Sequence, residues 1–88
     1  MFNNRRSEID IIGEILSLSQ NSIRKTEILY QVNLSYRQLK NYLHTLIEKE
    51  ILEEKLVENN GSSFRIYYST SKGNELLANI RKTLSYFK

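Results

Sequence analysis

The chain has 88 residues and a formal net charge of +3, with 13 Lys and Arg against 10 Asp and Glu. That length makes a single domain, 1–88, of a size that buries roughly 60% of its unfolded surface and so owns a modest core without covalent staples. There is no Cys, which excludes a disulfide framework and thiolate metal sites and makes a reducing compartment the natural setting. The first ten residues, MFNNRRSEID, lack the apolar run of a signal peptide, and no uncharged apolar stretch approaches the roughly 20 residues of a membrane span. The expectation is a soluble, cytoplasmic protein. Charge is unevenly spread: six Lys/Arg stand against four acids in residues 1–47, two against five in 48–58, and five against one in 59–88. Segment charges of +2, −3 and +4 polarise the chain, and a surface that joined the two basic regions would attract a polyanion.

Taken in order, the first element is a helix over about residues 7–19, opened by a capping box of Ser7 and Asp10. Its apolar residues form two stripes, Ile9, Ile12 and Leu16 on one side and Ile11, Ile15 and Leu18 nearly opposite, which predicts burial on two sides. A shorter helix runs from about Ile23 or Arg24 to Val32, with Ile28, Leu29 and Val32 inward, and Asn33 and Leu34 make a tight connection. The third helix, about 35–49, opens at Ser35, with Gln38 placed to cap reciprocally. At 100° per residue, Tyr36, Leu39, Tyr42, Leu43, Leu46 and Ile47 form one stripe toward the core. Arg37, Asn41, His44 and Glu48 lie opposite, flanked by Lys40 and Thr45.

From Ile51 the period changes, and ILEEKLVENNGSSFRIYYST reads as a β-hairpin over about 51–70, reversed at Asn59, Asn60, Gly61 and Ser62. Alternation sets Phe64, Ile66 and Tyr68 against Ser63, Arg65 and Tyr67; it predicts Phe64 and Ile66 as buried and leaves the two tyrosines open. A closing helix, about 71–87, starts after the N-cap candidate Thr70 and carries Leu76, Leu77, Ile80, Leu84 and Phe87 on one side.

Three helices, a hairpin and a closing helix, with a very short turn between the second and third, predict an α+β, mainly α fold: a winged helix-turn-helix. In that arrangement helix 35–49 enters a major groove of double-stranded DNA and the hairpin meets the flanking backbone. The residue types suit it. Arg37 can donate two bonds to guanine or clamp a phosphate, Asn41 can bond adenine bidentately, and Lys40 and His44 can reach phosphates or base edges. Ser35 and Tyr36 stand at the entering end of the helix, the tip offers the small polar residues Asn60 and Ser62, and Arg65 is the natural phosphate or minor-groove contact. Glu48 sits three turns in, where the helix leaves the DNA.

The segments NLSYRQLKNYLHTLIEKEIL and YYSTSKGNELL resemble the archaeal winged-helix family of small chromatin-associated and regulatory DNA-binding proteins. That family shows a similar NLSY..L..Y...L...EI pattern and ends its hairpin with Y-x-x-T-x-x-G-x-x-L-L. The match covers about residues 24–85 and consists of core and capping residues, so it is more specific for fold than for role. The resemblance implies duplex DNA as partner, a regulatory or nucleoid-associated role, and a homodimer formed through the closing helix. In the family that helix commonly continues into a long antiparallel coiled coil, which is not expected in a chain stopping at Lys88. Leu76, Ile80, Leu84 and Phe87 are then the candidates for pairing, with a partner's helix or with the second stripe of helix 1. The family pattern also implies a buried Tyr67, against the simple alternation.

Plainer readings stand beside these. The face with Arg37, Lys40 and Asn41 is also what an ordinary solvated helix surface looks like, and the helix-turn-helix context favours DNA. His44 is the single histidine, so neither a metal site nor nucleophilic catalysis is supported, and Glu53 and Glu54 would point to opposite faces of a strand. Tyr67 and Tyr68 could stack on bases or be structural. Arg5 and Arg6 read equally as a minor-groove arm or a frayed basic terminus. No enzyme constellation and no cofactor are implied. The rival function is a protein-protein interaction module that works through the acidic strip of residues 48–58 or the apolar surplus of helix 1.

Overall fold

Side-chain acceptors fix where the helices begin. The computed structural model describes residues 7–87 and orders them as α1 (Glu8–Leu18), β1 (Ile23–Arg24), α2 (Lys25–Val32), α3 (Tyr36–Glu48), β2 (Leu52–Asn59), β3 (Ser62–Ser69) and α4 (Ser71–Ser85). At α1, Ser7 Oγ accepts the Asp10 N–H at 3.1 Å and the Asp10 carboxylate accepts the Ser7 N–H at 3.2 Å. At α3, Ser35 Oγ accepts the Gln38 N–H at 3.1 Å and Gln38 Oε1 accepts the Ser35 N–H at 3.0 Å. Thr70 Oγ1 accepts the Gly73 N–H at 3.0 Å to open α4. Each acceptor satisfies donors that a first helical turn leaves orphaned, so these starts are local and legible. Arg5 and Arg6 lie outside the described residues.

The ends of α2 and α3 are turned by left-handed residues. Asn33 (φ 56°) ends α2, its N–H donating to Leu29 O at 3.1 Å, and two residues later Ser35 caps α3. That is why the helix-turn-helix connection is so short: asparagine tolerates the left-handed region better than most residues. After α3, Glu50 (φ 61°) donates to Ile47 O at 3.0 Å and Ile51 donates to Leu46 O at 2.9 Å, a Schellman motif whose apolar contact is Ile51 on Leu46. The hairpin reverses through Asn60 (φ 52°) and Gly61 (φ 81°), the positive-φ pair that matches the twist of its strands.

The core is built by Ile11, Ile15 and Leu16 of α1, Ile28 and Val32 of α2, Leu39, Leu43 and Leu46 of α3, and Ile23, Leu52, Tyr67 and Leu77 around them. Ile12 and Leu18 pack on this cluster as well, so α1 is buried on two sides as predicted, although Ile9 in its first turn is exposed. Tyr36 departs from its predicted place in the core stripe of α3: it is 60% exposed. It stands in the first turn of α3, and burial on that helix starts at Leu39.

The sheet has the order β1-β3-β2, antiparallel throughout. Two corrections follow from it. The start expected for the second helix is partly the two-residue strand β1, in which Arg24 is extended (ψ 152°) and pairs with Ile66. And Tyr67, opposite both Ile23 and Glu54, is the residue β3 buries, while Phe64, Ile66 and Tyr68 are half-buried on the other face. A third strand decides which face is inner, and it selects the side bearing Ile23 and Leu52.

The end of α1 meets the sheet at Ser19, which is fully buried: its Oγ donates to Ile15 O at 2.7 Å and its carbonyl accepts the Ser69 N–H at 2.8 Å. α4 then returns antiparallel along α1, with Ile80 against Gly13 and Arg81 donating to Ser17 Oγ at 3.2 Å. Among the described residues, no helix is long and apolar enough to cross a membrane.

Candidate nucleic-acid interface

Leu39, Leu43 and Leu46 are almost completely buried, so the roll of α3 about its axis is fixed by the core. Arg37, Lys40, Asn41 and His44 are consequently all exposed, within an arc of about 100° at helical spacing. His44 Nε2 lies 3.0 Å from Glu48 Oε2, one turn further along the same arc. Asn41 and Thr45 line one wall of a shallow groove of about 340 Å³, and Glu8 and Ile12 of α1 line the other. Ser35 sits at the entering end with its oxygen committed to the cap.

Tyr36 belongs with this surface. Its phenol oxygen accepts from Lys25 Nζ at 3.3 Å, and the same ammonium stands 4.9 Å from the ring centroid. One residue earlier, the Arg24 guanidinium stacks 3.8 Å from the Phe64 ring centroid. Reading the sequence did not single out Arg24 and Lys25; the signal was two adjacent basic residues at the start of the first helix of a helix-turn-helix.

The wing is wholly exposed over residues 58–63, which places Asn60 and Ser62 at an accessible tip. Arg65, expected as a phosphate or minor-groove contact, is engaged within the hairpin: its guanidinium pairs with the Glu54 carboxylate, whose other oxygen accepts the Tyr67 O–H at 2.7 Å. The residues are close because Tyr67 stands opposite Glu54 and Arg65 is its diagonal neighbour on the same face. Burial, and then the hydrogen bond to Glu54, raise the Tyr67 phenol well above the usual tyrosine range. Tyr68 is raised too, mainly by its hydrogen bond to Glu53.

The four apolar residues expected to pair across a dimer are divided. Ile80 is buried against α1 and Leu76 packs on the core, so the monomer already uses them. Leu84 is half-buried and Phe87 is 70% exposed. Among the described residues, no group of three or more His, Asp or Glu side chains is placed to hold a metal.

A short-turn helix pair whose second helix presents an exposed polar face, followed by a β-hairpin, defines a winged helix-turn-helix domain. The chain belongs to the winged helix-turn-helix family, whose pattern it matches over residues 5–88. It is 33% identical over 79 residues to the uncharacterized protein MJ0290 of Methanocaldococcus jannaschii, an alignment covering 89% of this chain and 34% of that protein. The chain thus spans about a third of the length of this archaeal relative. Among solved structures it resembles Sso10a-2, a DNA-binding protein from Sulfolobus solfataricus, with a TM-score of 0.76 and 23% identity over 92% of this chain and 81% of that one. It also resembles a PadR-like transcriptional regulator from Bacillus cereus, with a TM-score of 0.79 and 21% identity over 88% and 82% of the two chains. At such identities the likeness shows the shared fold, and the predicted resemblance to archaeal winged-helix proteins holds.

Proposed function

We propose that the chain binds double-stranded DNA, as a transcriptional regulator or a chromatin-associated protein of the nucleoid, with α3 in the major groove and the hairpin tip on the flanking backbone. The observation that carries this reading is the fixed roll of α3: a leucine spine holds Arg37, Lys40, Asn41 and His44 outward on a rigid support, with Tyr36 beside them. Donors of that kind, held in a row on a helix, match the edges of guanine and adenine and the phosphates beside them. The names of Sso10a-2 and of the PadR-like regulator point the same way.

Replacing Arg37 and Lys40 together by Ala tests it. Both are exposed, so the thermal melt is expected to stay within about 0.5 kcal/mol of the parent. Duplex affinity measured by fluorescence anisotropy should fall at least tenfold, a loss of about 1.4 kcal/mol. Unchanged affinity would show that the DNA-binding surface lies elsewhere than on α3. The protein pairs as a homodimer through the outer end of α4 and the turn after it, where Leu84 and, beyond the helix, Phe87 lie past the buried Ile80. Light scattering should give twice the chain mass, and Phe87→Ser should shift it toward one.

A further inference from the structure

Arg24 and Lys25 are neighbours in sequence, yet each lies over an aromatic ring from a different element: Arg24 over Phe64 of β3, Lys25 over Tyr36 of α3. From this geometry we propose that the two form a preorganised phosphate clamp for the duplex backbone, distinct from the base-reading face of α3. The clamp rests on the DNA-binding reading and deepens it. Stacking uses the flat face of a guanidinium and leaves its N–H edges, five donors in one plane, to meet phosphate oxygens. The backbone beneath is held as well, since Arg24 is laddered to Ile66 and its N–H donates to Glu27 Oε1 at 3.2 Å. Lys25 ties the start of α2 to the first turn of α3, where a strand bordering the groove entered by α3 has to pass. Among the described residues neither side chain is ion-paired with a carboxylate, whereas Arg65 is committed to Glu54. Glu27 is the nearby acid and lowers the local charge, leaving the pair with a net excess of one.

The test is a titration of duplex DNA, one fixed sequence and one randomised pool, against the parent chain, the Arg24→Ala/Lys25→Ala chain and Phe64→Leu at rising salt. For the double variant, the slope of log affinity against log salt should be shallower by about 2, since each neutralised phosphate contributes about 0.9, and both DNAs should be affected alike. Phe64→Leu keeps both charges and loses one seat, so it should keep the slope and bind several-fold more weakly. Arg24→Gln/Lys25→Gln, which keeps part of each aliphatic stem and a polar end without the charge, should repeat the double-alanine result if that chain folds poorly. A parent that binds duplex with a slope undiminished in the double variants overturns the clamp alone. A parent that binds no duplex overturns the DNA reading and the clamp together.

Discussion

Tyr67 brings a hydroxyl into a position where the residue is 2% exposed, and it donates a hydrogen bond to the Glu54 carboxylate, which also holds Arg65. An unsatisfied hydroxyl there would carry a desolvation cost, so the pair is a condition of burying the ring. Tyr67→Phe should cost about 1.5 kcal/mol in urea unfolding, the low end for a charged acceptor because Glu54 keeps part of its side chain in water. The raised phenol also sets a pH dependence. The unfolded chain ionises near the ordinary value of 10.0, while the fold holds the phenol neutral above it. The stabilisation is therefore complete below about pH 10 and lost as pH rises beyond, so alkaline melts should fall faster in the parent than in Tyr67→Phe. Glu50 is the opposite case, a side chain at a left-handed position (φ 61°) where glycine is the cheaper residue. Glu50→Gly should raise stability by about 0.5–1 kcal/mol, measured in the same unfolding experiment, with m unchanged.

At the scale of elements, the junction of α3, β2 and α4 is tightly packed around Gly73. Thr70 receives the Gly73 N–H, donates its hydroxyl to the Glu50 and Ile51 carbonyls, and gives its own N–H to Ile51 O at 3.1 Å. A Cβ on Gly73 would collide with the Ile51 carbonyl oxygen and Ser69 Oγ. Gly73→Ala should therefore destabilise by roughly 3 kcal/mol, the upper part of the range for overpacking, and a melt within 1 °C of the parent would contradict this placement. This also gives the T-x-x-G part of the Y-x-x-T-x-x-G spacing its physical meaning, with Thr70 and Gly73 serving one joint, while Tyr67 is buried opposite Ile23 and Glu54. Such local devices were legible beforehand: both capping boxes, the Thr70 cap, the Asn-Gly reversal and the leucine spine of α3 each need only a few neighbouring residues. β1 was not, because two residues carry no period. The inner face of β3 was not either, because Ile23 of that third strand decides it. Tyr36 fell on the apolar stripe by its angle, but an angle does not reveal whether anything packs beneath the first turn.

For the whole molecule, the segment charges pointed to basic regions without showing which cations were committed. Arg65 looked available and is held by Glu54, while Arg24 and Lys25 went unnoticed and are seated on rings beside α3. Pairing across strands and between elements is a product of the fold, and a one-dimensional count of charges does not contain it. The candidate surface accordingly gathers Arg24 and Lys25 with Tyr36, Arg37, Lys40, Asn41 and His44, while the end of α3 and the turn after it become acidic at Glu48 and Glu50. The measurement that bears most directly on this account is duplex DNA affinity of the unaltered chain from low to moderate salt. Four cations per protomer, Arg24, Lys25, Arg37 and Lys40, each neutralising one phosphate, predict a linear fall of log affinity against log salt with a slope of roughly −3.5 for each protomer on the duplex. A slope near zero, or no duplex binding at low salt, would contradict it.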